Sequence, residues 1–113
     1  MIEKIIYDYL KLALDVPVFM EIPENEPTEF VVIEKTGSSR FNLMDKATLA
    51  VQSYSNSLYK TAVLNEIVKS KMFDSISVDQ ITSCKLNSDY NQTDTQFKRY
   101  RYQAVFDIAY YND

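Results

Sequence analysis

The sequence predicts an α+β fold, a two-layer sandwich in which two helices cover one face of a mixed, mostly antiparallel sheet. Two stretches repeat apolar residues at intervals of three and four, the period of an amphipathic helix. The other segments are rich in β-branched residues or alternate between apolar and polar ones, and short polar connections join them. The elements follow the order α-β-β-β-α-β-β and end in a long C-terminal hairpin. Residues 1–113 are expected to form a single domain, because 113 residues support one hydrophobic core.

The first helix is predicted over residues 2–14, where one apolar stripe recurs at helical spacing. The stripe consists of Ile2, Ile5, Ile6, Tyr9, Leu10 and Ala13. Pro17 should end the helix, because the residue before a proline avoids the helical region. Residues 18–22 lie between Pro17 and Pro23, which predicts a short edge strand, where a missing amide donor is tolerated.

Two strands are predicted in the middle of the chain. Residues 30–36 are rich in β-branched side chains and should form a buried strand that ends at the Gly37–Ser39 segment. Residues 46–55 alternate with a period of two, so this strand should have one covered face. The side chains predicted on that covered face are Ala47, Leu49 and Val51.

A second helix is predicted over residues 57–72, with Ser55 or Ser57 as its N-cap. Lys69 and Lys71 near its far end suit the negative end of the helix dipole. The apolar stripe expected to face the sheet consists of Leu58, Ala62, Val63, Ile67 and Val68.

The last third of the chain predicts the long hairpin. Residues 76–88 indicate one or two strands, residues 88–96 a polar turn, and residues 97–111 the strongest β pattern of the sequence. One face of the last strand should carry Tyr100, Tyr102, Ala104, Phe106, Ile108 and Tyr110. The opposite face should carry Arg99, Arg101, Gln103, Val105, Asp107 and Ala109.

The length of this last strand leads to a prediction about assembly. A strand of about 14 residues spans roughly 45 Å, whereas a compact domain of this size has a radius of gyration of about 13 Å. We therefore expect the strand to bend sharply, or the hairpin over 81–103 to project from the body and be covered by identical copies. Tyrosine and arginine are enriched at interface hot spots, so the residues predicted for the subunit interface are Tyr90, Arg99, Tyr100, Arg101 and Tyr102.

Two other interpretations of these tyrosines stay open. They could pack within their own sheet, as alternating tyrosines of a terminal strand commonly do. They could also stack on nucleic-acid bases beside Lys98, Arg99 and Arg101.

The composition leaves little for catalysis. The chain has no histidine, which is the commonest general base and metal ligand. Its one glycine, Gly37, cannot form a glycine-rich phosphate cradle, and its one cysteine, Cys84, excludes an internal disulfide and is expected in the core. We therefore expect no enzymatic activity, no cofactor and no metal. No apolar run approaches the roughly 18 residues of a membrane span, so no membrane partner is expected.

Two sets of carboxylates are the alternatives to this expectation. An enzymatic interpretation would rest on carboxylates alone, namely Glu21, Glu34 and Asp107. The Glu21–Glu34 pair further requires that their strands be neighbours. A calcium-like pattern is formed by Asp89, Asn91 and Asp94. It lacks the glycine and the terminal glutamate of a calcium loop, so turn chemistry is the favoured interpretation.

The charge of the chain is net −4, and acidic residues are concentrated between residues 21 and 34, with no basic residue in that stretch. A chain with this balance is not expected to bind nucleic acid tightly, because phosphate neutralisation requires an excess of Lys and Arg. A solvated loop and strand edge is the simplest interpretation of the acidic run, and a metal or partner site is the alternative.

Six segments carry a resemblance to a known family, and they span nearly the whole chain in order. They are MIEKIIYDYL (1–10), VPVFMEIPENEP (16–27), FVVIEKTGSS (30–39), ATLAVQSYSNSLYKTAVLNEIV (47–68), KLNSDYN (85–91) and YRYQAVFDIAYY (100–111). In these segments the chain resembles the tail-terminator or head–tail joining proteins of long-tailed bacteriophages, including prophages of Gram-positive bacteria.

The resemblance implies a structural protein of the virion tail, assembled in the host cytoplasm. Such subunits form a ring, commonly a hexamer, at the head-proximal end of the tail. The ring ends the growth of the tail tube, contacts the head connector or neck protein, and lets DNA pass without specific binding. On this picture an acidic lumen would carry Glu24, Glu26 and Glu29. The alternatives are another neck or minor tail component, or a small module that binds a partner at an exposed strand edge.

Overall fold

The computed structural model describes residues 1–111, without the side chain of Phe41, and it confirms the predicted fold class and element order. Its helices are α1 (Ile2–Ala13) and α2 (Leu58–Phe73), the second followed by a 3₁₀ turn (Asp74–Ser77). Its strands are β1 (Val18–Phe19), β2 (Phe30–Phe41), β3 (Met44–Ser55), β4 (Ile81–Asn91) and β5 (Tyr100–Tyr110).

The five strands form one mixed sheet in the order β1-β2-β3-β5-β4. β1 runs parallel to β2, and the other neighbours are antiparallel. The predicted edge strand over 18–22 does lie at an edge, but it is only two residues long. The Val31 amide donates to the Pro17 carbonyl over 3.0 Å, and the ladder ends at the Phe19–Val32 pair.

The prediction that β2 ends at the Gly37–Ser39 segment is wrong, because the strand continues to Phe41. The register shifts between Lys35 and Gly37, so that Thr36 is absorbed as a bulge and the pairing with β3 resumes. The chain then reverses over Asn42 and Leu43, with φ angles of 51° and 67°. Positive φ at both central residues is the geometry of a two-residue type I′ hairpin turn.

The predicted start of the last β region is also wrong. Residues 76–80 are not a strand, because the chain leaves α2 through the 3₁₀ turn. In that turn the Ser75 hydroxyl donates to the Met72 carbonyl over 2.6 Å, and the Val78 amide donates to the Ser75 carbonyl over 2.9 Å. These local hydrogen bonds continue the helical backbone conformation over residues for which the apolar pattern alone predicts a strand.

The prediction that the last strand bends or projects from the body is wrong as well. β5 has 11 residues, which span about 37 Å, and the molecule measures 46 × 24 × 24 Å. β5 lies between β3 and β4 and pairs with both along its length. The expectation failed because it treated the domain as a sphere, whereas the sheet runs along the major axis of an elongated body.

The main core lies between the helices and one face of the sheet. The predicted α1 stripe is confirmed, with Ile2, Ile6 and Leu10 fully buried. The predicted covered faces of the two long strands are confirmed too. The strand residues of this core include Ala47, Leu49, Val51, Ala104, Phe106, Ile108 and Tyr110. Cys84 packs half-buried against the same core. Two helices therefore cover one face, and no helix of residues 1–111 packs on the opposite face of the sheet.

Candidate interaction surface

Helix α2 presents a different face to the sheet from the one that the sequence predicts. Its buried residues are Thr61, Leu64, Asn65, Val68 and Met72. Of the predicted stripe, only Val68 belongs to this set, and Leu58, Val63 and Ile67 are 44 %, 40 % and 45 % exposed. The prediction of the buried face is therefore wrong, and apolar side chains of α2 point into solvent.

Hydrogen bonds explain why α2 buries polar side chains instead. The Thr61 hydroxyl donates to the Ser57 carbonyl over 2.6 Å. The Asn65 side-chain amide donates to Asp89 Oδ1 of β4 over 2.7 Å. Lys69 Nζ lies 2.5 Å from the other oxygen of Asp89 and 2.8 Å from Glu66. These contacts satisfy the Thr61 hydroxyl and the Asn65 amide nitrogen, whereas Asn65 Oδ1 is buried without a hydrogen-bond partner among the described residues. They set the rotation of the helix on the sheet.

The N-terminus of α2 is capped as the sequence predicts, and Ser57 rather than Ser55 is the cap. Its hydroxyl accepts a hydrogen bond from the Lys60 amide over 3.1 Å. Ser55 instead donates to Glu29 over 2.9 Å. The Ser55–Glu29 hydrogen bond joins the end of β3, just before α2, to the loop that precedes β2.

A groove of about 680 Å³ lies along the outer side of α2. We call it the α2 groove. Its apolar side chains include Val16, Pro17, Tyr59, Val63 and Ile67, and its charged ones are Asp15, Glu29 and Lys60. Tyr59 is 78 % exposed. An apolar row at positions i, i+4 and i+8 on the solvent side of a helix is typical of a surface that contacts a partner.

The sequence holds a signal for this groove that the prediction of a single stripe missed. The apolar residues of α2 do not lie on one side only, and two stripes can be drawn through them: Leu64, Val68 and Met72, or Tyr59, Val63 and Ile67. A helix with an apolar stripe on each of two faces is expected to be contacted on both. Only the tertiary structure shows which stripe meets the sheet.

The residues predicted for the subunit interface do not form one exposed patch. Tyr100 and Tyr102 are half-buried on the helix side of β5, whereas Arg99 and Arg101 lie on the open side. Tyr90 is 41 % exposed on β4, and its hydroxyl accepts a hydrogen bond from Gln103 over 2.6 Å. Their role in a subunit contact stays a prediction, and the length of the last strand no longer supports it.

The two arginines are engaged by their own chain in an aromatic cluster on the open face. Phe30 and Tyr54 stack with ring centroids 4.5 Å apart. Arg101 Nη1 donates to the Tyr54 hydroxyl over 3.2 Å, and the Arg99 guanidinium lies 5.0 Å from the centre of the Tyr54 ring. Cation–π contacts of this kind stabilise a fold by about 0.5–1 kcal/mol at exposed sites.

The acidic run has a basic partner that the sequence does not place beside it. Arg99 Nη2 lies 3.2 Å from Glu26, so the loop before β2 is joined to the turn before β5. Glu29 accepts the hydrogen bond from Ser55, and Glu24 is exposed. The three residues predicted for an acidic lumen therefore differ in environment: Glu24 and Glu26 are exposed, and Glu29 is half-buried.

The calcium-like pattern is divided between a strand and a turn. Asp89 belongs to β4 and is held by Asn65 and Lys69. Asn91 Oδ1 accepts from the Thr93 amide over 2.9 Å, and Asp94 Oδ1 accepts from the Gln96 amide over 3.1 Å. The turn chemistry predicted for Asn91 and Asp94 is confirmed. Within residues 1–111 no group of three or more His, Cys, Asp or Glu is placed to hold a metal ion.

The three carboxylates of the enzymatic alternative are not assembled by the sheet. The β1–β2 ladder stops at Phe19–Val32, before it reaches Glu21 and Glu34. Asp107 lies on the open face, where it accepts hydrogen bonds from Thr48 over 2.9 Å and from Asn87 over 3.0 Å. Its two oxygens thus link β5 to β3 and β4.

Cys84 and Tyr9 have perturbed acidity because both are partly buried. Burial raises the pKa of the Cys84 thiol, and a hydrogen bond with Ser75 opposes the shift. Burial also raises the pKa of Tyr9, and Asp74 and Cys84 add to the increase. The Tyr9 hydroxyl donates to the Lys71 carbonyl over 2.7 Å and so ties α1 to the end of α2. A raised pKa keeps the Cys84 sulfur in its thiol form, which is the less nucleophilic one.

Comparison with protein-family models and with curated proteins returns no match for this chain. Among residues 1–111, neither helix combines the length and the apolar character that crossing a membrane requires.

Proposed function

We propose that this chain is a structural assembly protein whose copies associate through the α2 groove. The observation that carries the proposal is the rotation of α2, which buries Thr61 and Asn65 while Tyr59, Val63 and Ile67 lie in solvent. Full burial of a Val or Ile side chain contributes about 1.5–3 kcal/mol. A partner that covers this row therefore gains a favourable free energy that the lone subunit forgoes.

The resemblance of the sequence to tail-terminator and head–tail joining proteins supports a specific setting for this assembly. In that setting identical subunits close into a ring, of the hexameric kind, at the head-proximal end of a phage tail. The ring ends tail-tube growth and offers its other side to the head connector or neck protein. The described carboxylates fit such a structural role, since Glu26, Asp89 and Asp107 each hold neighbouring elements together.

The acidic loop before β2 has a place in the same proposal. Glu24 is exposed, and Glu26 and Glu29 lie in the same loop. If this loop faces the lumen, its charge repels the duplex and lets DNA pass without being gripped. A ring structure that sets these glutamates on the outer rim contradicts this part of the proposal and leaves the assembly itself untouched.

Light scattering on a matched pair of variants tests the assembly. Ile67 and Ile76 are 45 % and 56 % exposed, and only Ile67 lines the α2 groove. We expect Ile67→Asp to weaken self-association at least tenfold and Ile76→Asp to leave it unchanged, with both far-UV spectra native. The measurement is made on the free protein and on tail tubes, since some rings form only on a template. Equal behaviour of the two variants contradicts the use of the groove.

The phage setting has its own test. Virus particles that lack the protein are examined by electron microscopy. Tails of uncontrolled length indicate the terminator role, and finished tails separated from heads indicate the joining role. Particles with normal, joined tails contradict both.

A second candidate is a small binding module that uses a strand edge, and the free side of β4 favours it. β4 pairs with β5 on one side only, and its Leu86 and Tyr90 side chains are 40 % and 41 % exposed. Two register shifts and Lys85 blunt this edge, as is common where a sheet must avoid uncontrolled pairing. Hydrogen exchange discriminates the candidates: protection of the β4 amides on binding supports the edge, and unchanged exchange there supports the α2 groove.

A further inference from the structure

The turn between β2 and β3 carries an exposed leucine in a backbone conformation that does not suit it. Leu43 has a φ of 67° and is 78 % exposed. The type I′ turn prefers glycine at this second central position, with asparagine before it. Asn42 fits the first position. At the second position the backbone of Leu43 is strained, and its side chain is exposed in the single subunit. Strain and an exposed apolar side chain at one residue indicate a contact made outside the subunit.

The turn and the α2 groove lie at opposite ends of the molecule. The groove includes Thr28 and Glu29, directly before β2, and the turn follows β2 directly. A strand of 12 residues separates them, which corresponds to about 40 Å. No subunit can therefore place its own turn in its own groove, and a contact between them has to join two copies.

The turn and the groove are complementary in both apolar character and charge. Beside Leu43 the hairpin carries Arg40 and Lys46, both exposed, against one acid, Asp45, which lies 3.6 Å from Arg40. The rim of the groove has the opposite balance.

The charged groups that line the groove are Asp15 and Glu29 against one base, Lys60. Opposite net charges around two apolar surfaces favour this pairing over turn against turn or groove against groove. A two-residue turn with one leucine side chain is also small enough for a groove of about 680 Å³.

We propose that Leu43 of one copy inserts into the α2 groove of the next copy, between Tyr59, Val63 and Ile67. The inference rests on the proposed self-assembly and names the element that occupies the groove. Because each copy offers a turn at one end and a groove at the other, the contact runs head to tail. Contacts of this kind generate a closed ring when the rotation between copies closes.

Disulfide trapping between different chains tests this contact. In a Cys84→Ser background, chains with Leu43→Cys are mixed with tagged chains that carry Val63→Cys, and a mild oxidant is added. We expect a cross-linked heterodimer on a non-reducing gel, at least tenfold more abundant than with Ile76→Cys in place of Val63→Cys.

The outcomes of the trapping experiment separate the inference from the proposed function. In one outcome, light scattering shows an oligomer while the cross-linking yield of the L43C–V63C pair equals that of the Ile76→Cys control. That result overturns the turn-in-groove contact and leaves the proposed self-assembly intact. A protein that stays monomeric, free and on tail tubes, overturns both.

Substitution of Leu43 gives a second test of the contact, in which loss of self-association can be distinguished from misfolding. Leu43→Gly removes the side chain and relieves the strained turn, whereas Leu43→Ala removes the side chain and keeps the strain. We expect both variants to weaken self-association at least tenfold. At a protein concentration where the chains are monomeric, we expect only Leu43→Gly to unfold at a higher temperature than the original chain. Self-association unchanged in both variants overturns the inference.

Discussion

Asn65 of α2 and Asp89 of the edge strand β4 are joined by a hydrogen bond of 2.7 Å, from the Asn65 amide to Asp89 Oδ1. Lys69 reaches the other oxygen of the same carboxylate over 2.5 Å. One acid thus holds two consecutive turns of the helix against the sheet. As a result Val63 and Ile67 face solvent and line the exposed α2 groove.

We expect Asp89→Ala to destabilise the fold by about 1–3 kcal/mol, because it leaves the buried Asn65 amide nitrogen without its partner and removes one of the two carboxylates beside Lys69. Asp79 is exposed, so Asp79→Ala is the control and should change the free energy of unfolding by less than about 0.5 kcal/mol. Urea denaturation at neutral pH measures both. Equal stabilities would show that the polar cluster does not hold α2 in place.

The hydrogen bond between Ser57 and the Lys60 amide predicts a loss of about 1 kcal/mol in Ser57→Ala, the usual cost of removing a helix N-cap. Asn56, the exposed residue before the cap, supplies the control variant Asn56→Ala. Thermal unfolding followed at 222 nm compares the two. The prediction fails if Asn56→Ala is the more damaging change.

Leu43→Gly should stabilise the isolated subunit by about 0.5–1 kcal/mol. Glycine removes the strain that a leucine has at positive φ, and this gain outweighs the added flexibility of glycine in the unfolded chain. Leu43→Ala retains the positive φ and should stay within about 0.5 kcal/mol of the original chain. Chemical denaturation at low protein concentration, where self-association does not contribute, gives both values. A destabilised glycine variant would contradict the strain argued for this turn.

The raised pKa of Tyr9 predicts an alkaline loss of stability. Below its ordinary pKa of 10.0 the phenol is neutral in both folded and unfolded chains, and its contribution is constant. Above pH 10.0 the unfolded chain releases the proton more readily than the folded one, so the free energy of unfolding falls with pH until the folded pKa is passed.

Tyr9→Phe should reduce this alkaline loss. It should also cost about 0.5–1.5 kcal/mol at neutral pH, because the hydrogen bond to the Lys71 carbonyl disappears. Urea titrations between neutrality and strongly alkaline pH measure the slopes, and identical slopes in Tyr9→Phe and the original chain would contradict the assignment.

Local patterns were sufficient for the elements that have one covered face. The alternation along β3 and β5 and the stripe of α1 each match a single period, so only one orientation buries their apolar side chains. Ala47, Leu49 and Phe106 therefore lie where the sequence predicts. The pattern failed where several local solutions exist. Gly37 indicates a strand end, yet pairing with β3 carries the strand past it through a bulge.

By itself, the sequence determined the α+β class, the order of its elements and the covered faces of the long strands, because these depend on the spacing of apolar residues. The tertiary structure alone decided that β5 is a central strand, that Arg99 meets Glu26, and that α2 turns Val63 and Ile67 outward. Each of these depends on partners far apart in the chain. Asp89 determines which face of α2 is buried through its hydrogen bonds to Asn65 and Lys69, and the spacing of apolar residues does not reveal these bonds.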